Sequence, residues 1–424
     1  MREMKDSGVK WVGEIPSSWK VYKVKQIADS NNDVLPENYE EEQEIDYIEI
    51  GSVTYEHGVR TTEKMKFGNA PSRARRIVHN GDTIISTVRT YLKAIAYIDD
   101  SLADKIVSTG FSVVTPHKDV VAKFLYYALS THSFISNVEA HSVGISYPAI
   151  NNTNLMDLKI VLPMQREQIQ IASYLDAKCS KIDEIIEKQQ AIIEKLKEYK
   201  LSIITEAVTS GINPDVEMKD SGSVWFGSIP TNWEMKRLKY VFHIQKDIAG
   251  EEGHTVLSIT QKGIIPKDFS NNEGQFANSY ANYQLVHKGD FAMNHMDLLT
   301  GWVDISKYEG VTSPDYRVFV LNDKNGMCPE YYLYMMQMCY SARIFYGLGQ
   351  GVSGMGRWRL QADKFLNFHI PIPPYDEQKI IADYITDKVN HIEVEIDKRN
   401  KLVEKYQEYK KSLIYEVVTG KKEV

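Results

Sequence analysis

The stretch MKDSGVKWVGEIPSSWK (residues 4–20) returns at residues 218–234 as MKDSGSVWFGSIPTNWE. Met, Lys, Asp, Ser, Gly, Trp, Gly, Ile, Pro and Trp recur in register at an offset of 214. A second echo sets residues 163–209 against 373–419 at an offset of 210, and about 20 of its 47 positions are identical without a gap. In it Glu167-Gln168 matches Glu377-Gln378, Glu198-Tyr199-Lys200 matches Glu408-Tyr409-Lys410, and Val208-Thr209 matches Val418-Thr419. Two separate echoes in one order mean an internal duplication, which outranks any single local signal in reading the fold. Between the echoes, Gly81-Asp82 aligns with Gly289-Asp290 and Leu125-Tyr126 with Leu333-Tyr334, both at an offset of 208, and the rest has diverged. Two similar frames hold two dissimilar inserts. Either the inserts have drifted as loops do, or they face different ligands while the frames do the same mechanical work.

The second echo reads as a long helix in each copy. Pro163 closes an apolar strand-like run, LKIVLP, and about 40 residues without Pro or Gly follow, until Gly211 and Pro214 end the pattern. Apolar residues recur at heptad spacing: Leu175, Cys179, Ile182, Ile186, Ile193, Leu196 and Ile203, then Ile385, Val389, Ile392, Ile396, Val403, Tyr406 and Leu413. An amphipathic helix has to bury its stripe, and the other copy is the obvious partner. At 1.5 Å per residue such a helix is about 60 Å long, a spacer rather than a core element. Each stripe carries one polar residue near its middle, Gln189 and Arg399. They are either tolerated, snorkelling side chains or a pair that fixes register between antiparallel helices.

The remainder, residues 20–162 and 235–372, reads as mixed α/β. Strand candidates are 83–88, 95–98 and 111–116 in the first insert, and 256–259, 317–321 and 368–373 in the second. Apolar helical stretches lie at 121–130 and 330–346. The expected fold class is α+β, with globular segments 1–165 and 213–373 and helical segments 166–212 and 374–424. The strand order is not derivable at this level. The repeat is cut at the linker after Thr209, so antiparallel helices would give a pseudo-two-fold molecule with its termini close together.

The 424 residues are 43% hydrophobic and 25% charged, the ordinary globular range, which excludes a mostly disordered or disulfide-scaffold chain. No run of 18 apolar residues is available for a membrane span. The N-terminus lacks an apolar signal region, and Cys179, Cys328 and Cys339 form no metal or disulfide framework, so a reducing cytoplasmic setting is expected. Lys and Arg number 50 against 57 Asp and Glu, a net charge of −7, which does not describe a general nucleic-acid coat. The charge is segregated, however. Residues 29–49 hold nine acids and no Lys or Arg, whereas residues 60–93 hold eight basic residues against Glu63 and Asp82.

Catalytic motifs fail one by one. Gly349-Gln350-Gly351-Val352-Ser353-Gly354 fits G-x-G-x-x-G, but a helical segment rather than a strand precedes it, so a flexible loop is the better reading. Ile372-Pro373-Pro374-Tyr375 is one residue from the N-P-P-Y motif of DNA amino-methyltransferases, and isoleucine cannot accept the bond that the asparagine position makes. Pro314-Asp315 is followed by no E-x-K or D-x-K that would complete a nuclease metal site. There is no Walker A motif and no HxxxH or HxH pair. No catalytic residue and no metal site is expected in this chain.

The basic patches point elsewhere. Arg73, Arg75 and Arg76 precede Gly81-Asp82; Ser86, Thr87, Arg89, Tyr91 and Lys93 follow it. In the second half Asn294 and His295 stand where Ser86 and Thr87 stand in the first, and Arg343, Ser353, Arg357 and Arg359 surround the glycine-rich stretch. Arg and Lys grip phosphates; Arg on guanine, and Asn or Gln on adenine, read base edges. Each residue taken alone could be a solvated surface charge or a partner of the acidic 29–49 segment. Taken together they favour nucleic acid.

W-x-G-x-I-P-x-x-W occurs at Trp11–Trp19 and Trp225–Trp233, P-x-x-x-E-Q at Pro163–Gln168 and Pro373–Gln378, and E-x-V-T at Glu206–Thr209 and Glu416–Thr419. In this doubled order they resemble the specificity subunit of type I restriction-modification enzymes over essentially the whole chain. The resemblance implies two target recognition domains, each reading half of a bipartite double-stranded DNA sequence, separated by two long antiparallel coiled-coil helices. It also implies two methyltransferase subunits that bind S-adenosylmethionine and a restriction/translocase subunit that uses ATP, with no cofactor in this chain. The competing reading is a tandem coiled-coil scaffold without a DNA role.

Overall fold

The computed structural model describes residues 2–269, 277–351 and 358–424. The chain forms two compact units, residues 1–190 with 401–424 and residues 191–400, so each long helix contributes one end to each unit. The first helix runs Gln165–Ser210 and the second Tyr375–Val418, which stops six residues short of the expected 424.

In the first unit, Leu175, Cys179, Ile182 and Ile186 share one apolar cluster with Val403, Tyr406 and Leu413 of the second helix. Lys410 Nζ pairs with Asp183 at 2.6 Å. In the second unit, Ile193, Leu196 and Ile203 pack with Ile392 and Ile396, and Lys200 Nζ pairs with Glu393 at 2.5 Å. The heptad stripes therefore cover each other, and in both units the lysine of the repeated Glu-Tyr-Lys reaches a carboxylate on the opposite helix. In each unit low-numbered positions of one helix face high-numbered positions of the other, which makes the pairing antiparallel. Gln189 is half-buried; Arg399 is half-buried and pairs with Glu395 of its own helix at 2.6 Å.

The MKDSG…W stretch is a hairpin in both copies, Met4–Asp6 with Glu14–Pro16 and Met218–Asp220 with Ser228–Pro230. Its recurring polar residues are spent on the backbone. Lys5 and Lys219 donate to the carbonyls of Ser17 and Thr231, and Asp6 and Asp220 accept from the N–H groups of Gly8 and Gly222. Ile15, Trp19, Ile229 and Trp233 are buried. Trp19 Nε1 donates to Glu167 at 2.9 Å and Trp233 Nε1 to Glu377 at 3.0 Å, which ties each hairpin to the first turn of a long helix. The adjacent glutamines are buried crosslinks. Gln168 bonds Val121 N and Pro163 O, and Gln378 bonds Cys328 N and Pro373 O, joining helix start, closing strand and insert helix. At the far end of the second helix, Gly420 takes a positive φ of 73°, and a Cβ there would lie 2.4 Å from Pro16 Cδ. The last turn of the chain thus packs on its first hairpin, in the first unit.

The inserts keep one topology despite their divergence. The first unit has a four-stranded sheet ordered Ile95–Tyr97, Thr83–Ser86, Phe111–Pro116, Ala28–Ser30, and the second has Val303–Ile305, Phe291–Met293, Arg317–Leu321, Phe242–Gln245 in the matching order. Gly81-Asp82 and Gly289-Asp290 close the same turn in both. Asp82 accepts from His79 N and Asp290 from His287 N, at 2.8 and 2.9 Å. The expected helix at 330–346 is two helices, Pro329–Ser341 and Ile344–Leu348, because Arg343 between them is left-handed at φ 58°. The first insert also has a second four-stranded sheet, Glu63–Lys66, Glu44–Ile48, Ile106–Ser108, Ala74–Ile77, which the acid-rich composition of 29–49 concealed.

Candidate nucleic-acid interface

In the first unit, one sheet hairpin turns through residues 87–93. Ser86 N donates to Ala94 O at 2.9 Å; in the second unit the equivalent loop, 295–301, is closed by Asn294 N to Trp302 O at 2.9 Å. The positional match of Asn294-His295 with Ser86-Thr87 is therefore structural. Arg89 and Lys93 flank a short turn of 3-10 helix, Thr90–Leu92, and both are left-handed, at φ 50° and 55°. Such backbone strain is held only by surrounding structure. Here Thr90 Oγ1 bonds Ser142 Oγ at 2.8 Å, and Ile150 N bonds Thr87 O at 2.9 Å. The second anchor, Ile150, directly follows an exposed turn, Val143–Ala149, whose ends are joined by Val143 N to Ala149 O and Ala149 N to Val143 O, at 2.8 and 3.0 Å. Val88 pairs with Ala149 at its base.

The same edge takes in Arg73. Its carbonyl accepts from Thr109 N, and the next residue, Gly110, accepts at its carbonyl from both the backbone N–H and the hydroxyl of Thr87. A Cβ on Gly110 would meet Ile50 at 2.3 Å and Val88 at 3.0 Å, so glycine lets these turns close on one another. Arg73, Arg89 and Tyr91 are exposed there, and the Arg89 guanidinium lies 5.1 Å from the Tyr147 ring. The other sequence candidates are differently placed. Ser86 is buried and donates to Val88 O at 2.6 Å. Arg75 is half-buried over the Phe67 ring, Arg76 is half-buried with its pKa lowered by burial, and Lys93 lies 3.6 Å from Glu139. The acidic 29–49 segment pairs with Lys66, Lys105, His79 and His117.

In the second unit the loop 295–301 rests on a cationic floor. Arg317 is 5% exposed, donates to Leu360 O at 2.9 Å and lies 5.0 Å from the Phe365 ring. Burial, then the neighbouring Arg359, lowers its pKa to about 10. His295 is also buried. Burial first, then Arg317, Arg359 and Lys246, push it down to about 3, so it is neutral in the fold. Asn294 is half-buried, accepting from Met296 N at 3.2 Å, and Arg343 is exposed. Gly349 and Gly351 seat the Trp358 ring, which Cβ atoms there would meet at 2.4 and 2.8 Å. Gln350–Gly351 pairs with Trp358–Arg359, so the first two glycines of G-x-G-x-x-G serve a tryptophan rather than a phosphate. Ser353 and Arg357 lie outside the described residues. Arg317 was missed from sequence because an arginine at the start of RVFVL reads as an edge charge, whereas all five residues of the strand are buried.

The depressed His295 sets a pH dependence. An unfolded histidine titrates near 6.5, so as pH falls the unfolded chain gains a proton that the folded chain refuses. Stability is full above about pH 6.5 and is lost progressively toward pH 3. We expect denaturant unfolding of His295→Gln to lose much of the wild-type decline between pH 6.5 and 4. An unchanged slope would refute the assignment.

Among the described residues no group of three or more His, Cys, Asp or Glu could hold a metal ion, and no helix is long and apolar enough to cross a membrane.

The model of the type I restriction modification DNA specificity domain matches residues 16–200 and 230–405. The chain belongs to that family, and its role is DNA specificity rather than catalysis. It is 26% identical to the type I restriction enzyme MjaVIII specificity subunit of Methanocaldococcus jannaschii, over 70% of this chain and 69% of that one. A second protein of that organism, provisionally named the type I restriction enzyme MjaX specificity subunit, is 24% identical over 97% of this chain and 95% of its own. A solved chain from work on complex assembly and conformational transition of the type I R-M system superposes with a TM-score of 0.70. It is 17% identical, covers 96% of this chain and 99% of its own, and supports the fold alone.

Proposed function

We propose that each insert reads one half of a bipartite double-stranded DNA target, with segments 1–165 and 213–373 as recognition domains and 166–212 and 374–424 as spacers. The observation that carries this is one frame, repeated within the chain, bearing two different loop-and-turn faces. The first face is exposed Arg73, Arg89 and Tyr91 beside an apolar turn; the second has half-buried Arg359 next to a buried Arg317, with Arg343 exposed in the same unit. Phosphate contacts fall to the exposed arginines, and Ser86, Thr87 and His295 position the loops. Two methyltransferase subunits carry S-adenosylmethionine, a restriction/translocase subunit uses ATP, and the complex works in the cytoplasm. Neither ligand is given a site on this chain.

Co-expression with the neighbouring methyltransferase subunit, followed by genome-wide mapping of methylated adenines, tests this. The expected result is a two-part motif with a fixed unread gap. No methylation together with no stable complex would favour the scaffold.

A further inference from the structure

The turn Val143–Ala149 leaves three apolar side chains in water: Val143 is 78% exposed, Ile145 102% and Tyr147 67%. Isolated exposed apolar residues need no explanation, but a cluster at the tip of a braced turn does. The bracing is specific. The tip's ends are bonded to each other, its base pairs with Val88, and Ser142 just before it bonds Thr90. Gly144 takes φ 113° so that the turn closes against Tyr147 O, which a Cβ would meet at 3.1 Å. Arg89, itself left-handed, lies against the Tyr147 ring. The fold thus holds an apolar point rigidly and sets a cation beside it.

A narrow turn of this kind, closed by one bridge at its base, can enter the major groove of B-DNA, where the thymine C5-methyl is the one apolar group on a base edge. The geometry points to Ile145 as a specificity-determining residue that packs on a thymine methyl, with Arg89 on the flanking phosphate or base edge. This rests on the DNA-reading role proposed above. Charge complementarity favours DNA over a protein occupant: exposed Arg73 and Arg89 stand on the same edge.

The test is a cycle between protein and DNA. The complete complex is titrated with duplexes bearing its motif, in which each thymine in turn is replaced by deoxyuridine, which lacks only the methyl. Burying one methyl changes affinity about fourfold. The wild type should lose about that at one thymine of one half-site, and Ile145→Ala should be indifferent to the same replacement. The side chain is in solvent, so the variant should fold normally. Val224→Ala, 94% exposed in the other unit, should match wild type throughout. Additive losses at every thymine, with the motif intact, overturn the contact alone. Loss of the methyltransferase subunit from Ile145→Ala overturns it in favour of a protein contact. A complex with no motif overturns both this inference and the DNA-reading role.

Discussion

Replacing Trp233 with alanine should cost the second unit about 3–5 kcal/mol, the usual range for emptying a buried tryptophan site. Trp233 is fully buried among Ile229, Leu238 and Val208, so the cavity has apolar walls that cannot all follow. The indole also holds Glu377 in the first turn of the second long helix, at 3.0 Å. A carboxylate there is favoured by the helix dipole, and removing its donor leaves it, among the described residues, the exposed Asn232 contact at 3.1 Å. Trp233→Phe keeps most of the volume and loses the N–H, so it should cost about 1.5–3 kcal/mol, the range for a bond to a charged acceptor. For a unit of this size, the alanine variant should melt roughly 6–20 °C lower. Differential scanning calorimetry of both variants measures this. An alanine variant melting within two degrees of wild type would mean that the repeated Trp–Glu contact does not hold the helix start.

That contact also shows which parts of the molecule were legible beforehand. The doubled motifs could be read because their polar residues make short-range bonds that recur wherever the local sequence recurs: Lys5 and Lys219 to a carbonyl, Asp6 and Asp220 to a glycine N–H. The heptads could be read because helix burial has a fixed period. The insert sheets could not, because their order depends on partners far apart in sequence, such as Ala28–Ser30 against Phe111–Pro116. The candidate site was half legible for the same reason. Basic composition singled out Arg73 and Arg89, which the fold leaves exposed on one edge. The same reading offered Ser86 and His295 for base contact, yet both are buried by the way the two loops close, and it passed over Val143 and Ile145, which an apolar count assigns to the core. Divergence of sequence between the inserts also concealed their common topology, since a four-stranded sheet tolerates Ile84 or Ala292 at the same central position.

Lengthening both long helices by one heptad should lengthen the unread gap and leave both half-sites unchanged. Duplicating residues 184–190 in the first helix and 394–400 in the second inserts at the points where the chain passes from one unit to the other. Seven residues fall only about 20° short of two full turns, so the apolar stripe stays on its face. Because the pairing is antiparallel within each unit, Asp183–Lys410 and Lys200–Glu393 both survive a matched insertion. The added rise is about 10 Å, the axial length of about three base pairs. The duplex also turns by about 100° over three base pairs, so the gap should settle one to three base pairs longer, at the length where both faces meet their half-sites. An insertion in one helix alone leaves an unpaired apolar heptad and should reduce soluble yield. Methylated-adenine mapping of the doubly extended chain reads the outcome directly. A longer gap between unchanged half-sites assigns distance to the helices and sequence to the inserts. Altered half-sites, or an unchanged gap in a folded and methylating complex, would remove the helices from the role of ruler and place the spacing in the inserts.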